Sequence, residues 1–296
     1  MSAKDAEEMM LCASCGAAEG DDIKLKKCTA CHLVRYCSVK CQEDHRSTHE
    51  EECKKRVAEL HDRILFKQPE STHLGDCPIC CLPLSSDIGK SVLASCCSKR
   101  ICDGCNFANK RRELEGRLEH KCPFCRKSLP TTLEEIVEQL MKRVEANDPV
   151  AMREMGLKAS HEGDYKSALE YGTRAVALGD TEAHYNLSFL YRDGKGVDMD
   201  KKKELHHLTE AAIAGHSDAR RNLGFYERKN GHYDRAAKHW IISAKLGHHA
   251  SLKCVTELFN SGHVSRDDFD AAFRGYQIAI NATKSPQRAE AAEYTK

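Results

Sequence analysis

The sequence lacks the features that would send a chain into a membrane or along a secretory route. Its start, MSAKDAEEMMLC, has no apolar stretch of the kind a signal peptide carries. Nowhere does it hold an uncharged run of the roughly 18 apolar residues that a spanning helix needs. A charge excess is missing too: 46 Lys+Arg stand against 45 Asp+Glu, a net of +1, so bulk charge argues for no particular partner. Cysteine is nearly absent from the second half, where Cys254 is the only one after Cys125. These absences lead us to expect an intracellular chain, cytoplasmic or nuclear, in a compartment that keeps thiols reduced.

The first half is the opposite case. Of 17 cysteines, 16 lie between Cys12 and Cys125. Such density means a disulfide framework or a set of metal sites. The reducing compartment favours metal, and the spacings favour it more. At 296 residues the chain has room for two or three domains. Composition divides it into a first cysteine cluster (12–53), a helical linker (54–76), a second cluster (77–130), a connecting helix (131–146), a repetitive helical region (147–284) and a polar tail (285–296).

The first cluster reads Cys12-x2-Cys15, Cys28-x2-Cys31, Cys37-x3-Cys41 and His49-x3-Cys53. Zinc takes four tetrahedral sulfur or nitrogen ligands, and a two-residue gap lets one turn present two thiolates to one ion. The two pairs spaced by four residues share one face of a helix each. Eight ligands imply two ions. With its RYC, its CQ and the closing histidine and cysteine, this stretch resembles a MYND finger along its whole length. The resemblance implies alternating ligation, with Cys12, Cys15, Cys37 and Cys41 on one zinc and Cys28, Cys31, His49 and Cys53 on the other. His32 and His45 are surplus. MYND fingers bind short proline-containing peptides, and Gln42 matches a position of that groove. Arg46 stands where the usual tryptophan would form an aromatic wall.

The second cluster has nine cysteines: 77, 80, 81, 96, 97, 102, 105, 122 and 125. Opening on CPIC and closing on CPFCR, it resembles a RING finger. The histidine of an ordinary RING is replaced by Lys99, whose ammonium cannot ligate. An all-cysteine RING of the C4C4 type resolves this if Cys96 and Cys97 supply the missing pair. Cross-bracing then puts Cys77, Cys80, Cys102 and Cys105 on one zinc and Cys96, Cys97, Cys122 and Cys125 on the other. Cys81 is spare, although its exchange with Cys96 or Cys97 stays open. The total is four zinc ions. Residues 77–130 hold ten Lys+Arg and five Asp+Glu, a formal +5. Two tetrathiolate zinc sites carry an excess of about four negative charges, so the basic run KRRELEGR needs no nucleic acid to explain it.

Thr132 and Glu135 form a capping box ahead of a helix with apolar Leu133, Ile136, Val137, Leu140, Met141 and Val144. Beyond it Ala151, Ala183, Ala219 and Ala250 recur at spacings of 32, 36 and 31. Met155, Leu187, Leu223 and Cys254 follow each alanine by four. Turn glycines come at Gly163, Gly194, Gly231 and Gly262, with Gly172, Leu208, Trp240 or Tyr276 later in each unit. The pattern is helix, glycine turn, helix, and one such pair needs a stack to bury its apolar face. DGKGVDMD and its surroundings resemble Sel1-like repeats, relatives of tetratricopeptide repeats, in four units. The expected fold is therefore mostly α: two small irregular cross-braced zinc modules, then a right-handed α-solenoid of about four helix-turn-helix repeats.

The RING resemblance implies a ubiquitin ligase without a nucleophile of its own, which holds a ubiquitin-charged conjugating enzyme in a reactive geometry. Ile79 and Pro123 would touch that enzyme, and Arg126 would bridge it to ubiquitin. The MYND finger and repeats would select substrate proteins. The alternative is a non-enzymatic adaptor. Protein methyltransferases also carry MYND fingers, but no SET-type motif flanks this one. Strong chelators are expected to unfold residues 12–125 and leave the helical repeat folded.

Overall fold

The computed structural model describes residues 11–294. It divides into two compact units, Met1–Lys67 and Gln68–Lys296. No described helix is long and apolar enough to cross a membrane.

The first unit is a cysteine module with little other core. Strands β1 (Lys26–Lys27) and β2 (Arg35–Tyr36) pair antiparallel. Helix α1 (Val39–Asp44) starts on Ser38, whose side chain accepts the Cys41 N–H. A break at His45 leads into α2 (Arg46–Leu65), where only His49 and Leu65 are buried. Around the thiols the buried cluster is Cys12, Leu25, Cys28, Cys31 and Tyr36. Two apolar side chains beyond the cysteines cannot stabilise a fold this size, so the module depends on what its thiols bind.

In the second unit a hairpin of β3 (Ser91–Ala94) and β4 (Lys99–Cys102) carries Cys96 and Cys97 at its tip. It runs into α3 (Asp103–Glu115). Lys99 is on β4 opposite Ala94, exposed. Helix α4 (Leu133–Glu145) is capped as its sequence implies: the Thr132 side chain accepts the Glu135 N–H (3.2 Å). Glu135 reaches back to the N–H of Thr131 (2.6 Å) rather than that of Thr132. Leu140 and Val144 are buried against α5, whereas Leu133 is exposed.

Four antiparallel helix pairs follow: α5 (Pro149–His161) with α6 (Tyr165–Ala177), α7 (Thr181–Asp193) with α8 (Lys201–Ile213), α9 (Ser217–Lys229) with α10 (Tyr233–Lys245), and α11 (His249–Asn260) with α12 (Arg266–Ala282). The turn glycines 163, 194, 231 and 262 all have positive φ, between 65° and 82°, which a Cβ would disfavour. The first helix of each pair is capped by an equivalent side chain, from Asp148, Asp180, His216 and His248. These caps correct the register of the fourth unit. His248 accepts the N–H of Ser251, as Asp180 and His216 accept those of Ala183 and Ala219. Ser251 and Val255, both fully buried, therefore take the places given above to Ala250 and Cys254. Cys254 is buried one position earlier. In α12 it is Ala272 that is fully buried, while Tyr276 is only half-buried.

The polar tail after residue 284 is helical over most of its described part. It forms α13 (Pro286–Tyr294), which packs along α3. Further ties join the second cysteine module to the helices that follow it: Ser86 Oγ donates to the Gly247 carbonyl of the solenoid (2.9 Å), and on the connecting helix α4 Ser95 Oγ donates to Gln139 (2.7 Å) and Arg143 Nε donates to Ser98 (2.7 Å).

Candidate metal centres

Four CxxC turns share one backbone device. In each, the residue after the second cysteine turns into the left-handed region: Gly16 (φ 75°), His32 (55°), Cys81 (55°) and Arg126 (63°). Its N–H then returns to the carbonyl of the first cysteine, at 2.9, 3.0, 2.9 and 2.9 Å in that order. The fifth pair, Cys102 and Cys105, instead opens α3. This geometry accounts for the surplus residues. Cys81 and His32 occupy the turn seat, and both are exposed. His45 lies outside the ligand shell, stacked 5.7 Å from His49, with its Nδ1 3.1 Å from the Tyr36 hydroxyl.

The side chains gather into four tetrads whose ligand atoms lie within 4.8 Å of one another. They are Cys12, Cys15, Cys37 and Cys41; Cys28, Cys31, His49 and Cys53; Cys77, Cys80, Cys102 and Cys105; and Cys96, Cys97, Cys122 and Cys125. Every one of the 17 cysteines is a free thiol. Within the tetrads the sulfurs stand apart by 3.5 Å (Cys15–Cys37), 3.9 Å (Cys28–Cys53), 3.8 Å (Cys80–Cys102) and 3.4 Å (Cys96–Cys125). A disulfide needs about 2.05 Å. A tetrahedron with Zn–S bonds of about 2.3 Å has edges of about 3.8 Å. Cys31 Sγ lies 3.2 Å from His49 Nε2, which fixes the nitrogen this histidine would offer. The donor set and its spacing fit zinc, about four ions in all.

Backbone electrostatics prepare the thiolates. Burial raises the pKa of Cys12, Cys28 and Cys77, but backbone N–H donors outweigh it, from their own turns and, for Cys77, first from Cys102 on β4, holding them at about 6, 6 and 7. Burial and the facing thiols of Cys125 and Cys122 push Cys96 up, so an ion is what lets the full set ionise together.

One further group, His73, Glu182 and His216, also has its ligand atoms within 4.8 Å. Its hydrogen bonds argue against a metal. His216 Nδ1 accepts the Ala219 N–H (3.3 Å), so its proton sits on Nε2, which faces Glu182 at 3.5 Å. A metal on Nε2 would force a proton onto Nδ1, against that N–H. The two imidazoles stack 4.3 Å apart and 2° from parallel, so their lone pairs run side by side instead of converging. His73 Nε2 lies 2.7 Å from the same carboxylate. Despite burial, these two contacts hold Glu182 far below the usual carboxylate range. The cluster is a carboxylate gripped by two rings.

Of the other residues singled out by sequence, Ile79 and Arg126 are exposed and Pro123 is half-buried. Gln42 and Arg46 line an open groove beside the Cys28 loop, together with Val39 and Glu43. Sequence reasoning missed Asn109 and Glu113. Arg126 Nη1 donates to Asn109 Oδ1 (3.1 Å), and Asn109 Nδ2 donates to the Lys121 carbonyl (3.1 Å) and to Glu113 (2.9 Å). Glu113 is buried and accepts the Lys121 N–H (3.1 Å). Burial alone would raise its pKa, but the Lys121 N–H, Asn109 and His120 hold it down. Only their four-residue spacing on α3 hinted at the pair.

Fold and sites together define a zinc-finger protein with a helical repeat. Residues 12–53 match the family model of the MYND finger. A sel1-like repeat-containing protein of Acanthamoeba polyphaga mimivirus is 28% identical over 102 residues, which is 34% of this chain and 19% of that protein. The chain thus spans about a fifth of the length of that curated relative. Among solved structures, a Sel1 repeat protein from Oxalobacter formigenes is 22% identical with a TM-score of 0.44, over 61% of this chain and 72% of the other. A protective antigen of uropathogenic Escherichia coli with an SLR fold is 20% identical with a TM-score of 0.42, over 64% and 40%.

Proposed function

We propose that this zinc-binding, MYND-containing repeat protein is a protein-interaction protein whose second cysteine module works as an all-cysteine RING. The sixteen residues of the four tetrads are its ligands, and Cys81 is not among them. On this reading the RING module recruits a ubiquitin-charged conjugating enzyme through Ile79 and Pro123. Arg126 reaches from that enzyme to ubiquitin. A substrate lysine amine attacks the thioester carbonyl, an isopeptide bond forms, and the enzyme's thiol leaves. This chain contributes position and charge but no nucleophile. The MYND groove at Gln42 takes short peptides, and the repeats hold substrate proteins.

The observation carrying the ligase reading is Arg126. It follows the last cysteine of the module, it is exposed, and Asn109 pins its guanidinium to α3. A free surface charge would need no such anchor. The test is autoubiquitination with a panel of conjugating enzymes. Wild type should build chains with at least one, Arg126→Ala and Ile79→Ala should cut the rate about tenfold or more, and Asn109→Ala should fall between. Chain formation with none of the enzymes would remove the ligase reading and leave the adaptor.

A further inference from the structure

The last helix of the chain puts an arginine on a cysteine loop far away in sequence. Just ahead of α13 stands Ser285, whose hydroxyl accepts the Arg288 N–H (3.2 Å). From this first turn the Arg288 guanidinium extends into the 77–83 loop. Its Nη1 donates to the carbonyls of Pro83 (2.7 Å) and Thr283 (2.8 Å). Its Nη2 donates to the Leu82 carbonyl (3.2 Å) and to Cys80 Sγ (3.5 Å). The Leu82 carbonyl is the group that also closes the first knuckle by accepting the Cys77 N–H (2.9 Å). One side chain therefore holds the knuckle's closing carbonyl and one of its sulfurs.

The same helix leans on the other half of the tetrad. Cys102 and Cys105 bracket the start of α3, and Gly104 lies between them. A Cβ on Gly104 would sit 2.8 Å from the Arg288 nitrogen and 2.9 Å from the Gln287 carbonyl carbon. That approach is closer than any side chain allows, so α3 and α13 meet backbone to backbone here. Arg111 pairs with Glu290, and the rings of Phe107 and Tyr294 lie 5.1 Å apart along the rest of the contact.

We propose that Arg288 is a positioning residue for the zinc of Cys77, Cys80, Cys102 and Cys105, so that the last helix sets how firmly that ion is held. The proposal rests on the ligand assignment above. Four thiolates around one zinc leave two excess negative charges. A guanidinium beside Cys80 offsets one of them, occupies a sulfur lone pair and so shields that thiolate from protons and electrophiles. Its fork also fixes the loop in the conformation that aims Cys77 and Cys80 at a common point. Partners of this kind, just outside the ligands, typically change metal affinity by about 10–100-fold.

The test uses the full-length zinc-loaded protein and a chelator, with an indicator counting ions as they leave. Wild type should release four ions. In Arg288→Ala one of the four should leave about 10–100-fold faster while the other three keep their rates. Arg288→Lys, which keeps the charge and loses the fork, should fall between. In the cobalt-substituted protein the thiolate-to-cobalt charge-transfer band of that one site should move in Arg288→Ala, a change that loosened packing alone does not cause. Release curves and cobalt spectra that superimpose on wild type would overturn the proposal. The ligand assignment fails separately, if wild type holds fewer than four ions or Cys80→Ala does not lower the count. Should Arg288→Ala lose the native emission of Trp240, Arg288→Lys decides: intermediate release supports the role and wild-type release refutes it.

Discussion

At the scale of single residues, backbone conformation separates the cysteines grouped in the four tetrads from Cys81. Counting to eight left one thiol spare in the second cluster, and the RING resemblance made it Cys81, with its exchange for Cys96 or Cys97 open. The left-handed φ of 55° at Cys81 supports that choice, because this seat carries Gly16 in the first knuckle and Arg126 in the last. No helix or strand period reports a single turn residue, which is why that exchange stayed open. A non-glycine residue in this region costs about 1–2 kcal/mol. Cys81→Gly should therefore raise the stability of the zinc-loaded protein by about 1 kcal/mol, measured by denaturant midpoint, with the zinc count unchanged at four. A count falling to three would make Cys81 a ligand and reopen its exchange with Cys96 or Cys97. The grouping of the eight candidate ligands of the first cluster was readable because metal chemistry fixes both residue type and gap. Arg126 was readable as a position, but its anchor on Asn109 depends on a loop fold the sequence does not display.

Helical elements were read well where a period runs long, and poorly where one residue was inserted or lost. Three units of the repeat keep their register, while the fourth slips by one because Ala250 happens to precede the buried Ser251. The capping side chain, not the small residue, is the firmer marker: Asp148, Asp180, His216 and His248 each stand one residue before their helix. Packing between paired helices depends on complementary sizes. A Cβ on Gly224 would come within 2.3 Å of the Trp240 indole nitrogen, which donates to the Arg221 carbonyl (3.0 Å). Gly224→Ala should displace the indole and cost about 1–3 kcal/mol. Trp240 is the only tryptophan, so its emission should shift red in the folded variant, and unchanged emission and midpoint would show that α9 and α10 have slack. The adjacent His239 gives this pair a pH dependence. Burial, with Arg220 and Arg235 nearby, holds its pKa down at about 3. The unfolded chain takes up that proton near pH 6.5 and the folded chain does not. Stability from this residue is thus complete above about pH 6.5 and declines as pH falls toward 3. The loss approaches about 1.4 kcal/mol per pH unit, or about 2 kcal/mol between pH 6.5 and 5. Urea midpoints read through Trp240 should show this slope in wild type and a flatter one in His239→Gln. Parallel slopes would assign the pH dependence elsewhere.

At the scale of the whole chain, metal and helix are coupled differently in the two units. From sequence the two cysteine clusters form one metal-dependent half and the repeats an independent one, because composition changes sharply after Cys125. The folded chain divides at Lys67 instead, and the second cysteine module belongs with the solenoid. Hydrophobic periodicity could not reveal this, since most of the ties are single polar contacts, Glu182 between His73 and His216, Ser86 on Gly247 and Arg143 on Ser98, and the packing of α13 along α3 rests on one backbone approach, one ion pair and one ring pair. Gly215 adds a close approach, where a Cβ would meet the Ser71 carbonyl oxygen at 2.6 Å. Three of these ties fix loop residues in or next to the second cysteine module, and α13 lies along the helix that Cys102 and Cys105 open. Stripping zinc from the second module frees those loops, and the solenoid loses the surface they cover. Its own apolar cores, around Trp240 and around Leu140 and Met152, do not involve the ligands and should persist. Strong chelation should therefore leave most of the helical circular dichroism, while the thermal transition reported by Trp240 falls by several degrees, about 2–4 °C per kcal/mol lost in a unit of this size. Glu182→Ala should give a smaller drop with zinc still bound. Adding chelator to that variant should produce less than the sum of the two shifts, because both act on the same contacts. Fully additive shifts, or a Trp240 transition indifferent to chelator, would mean that the polar ties carry no load and that the repeat is independent after all.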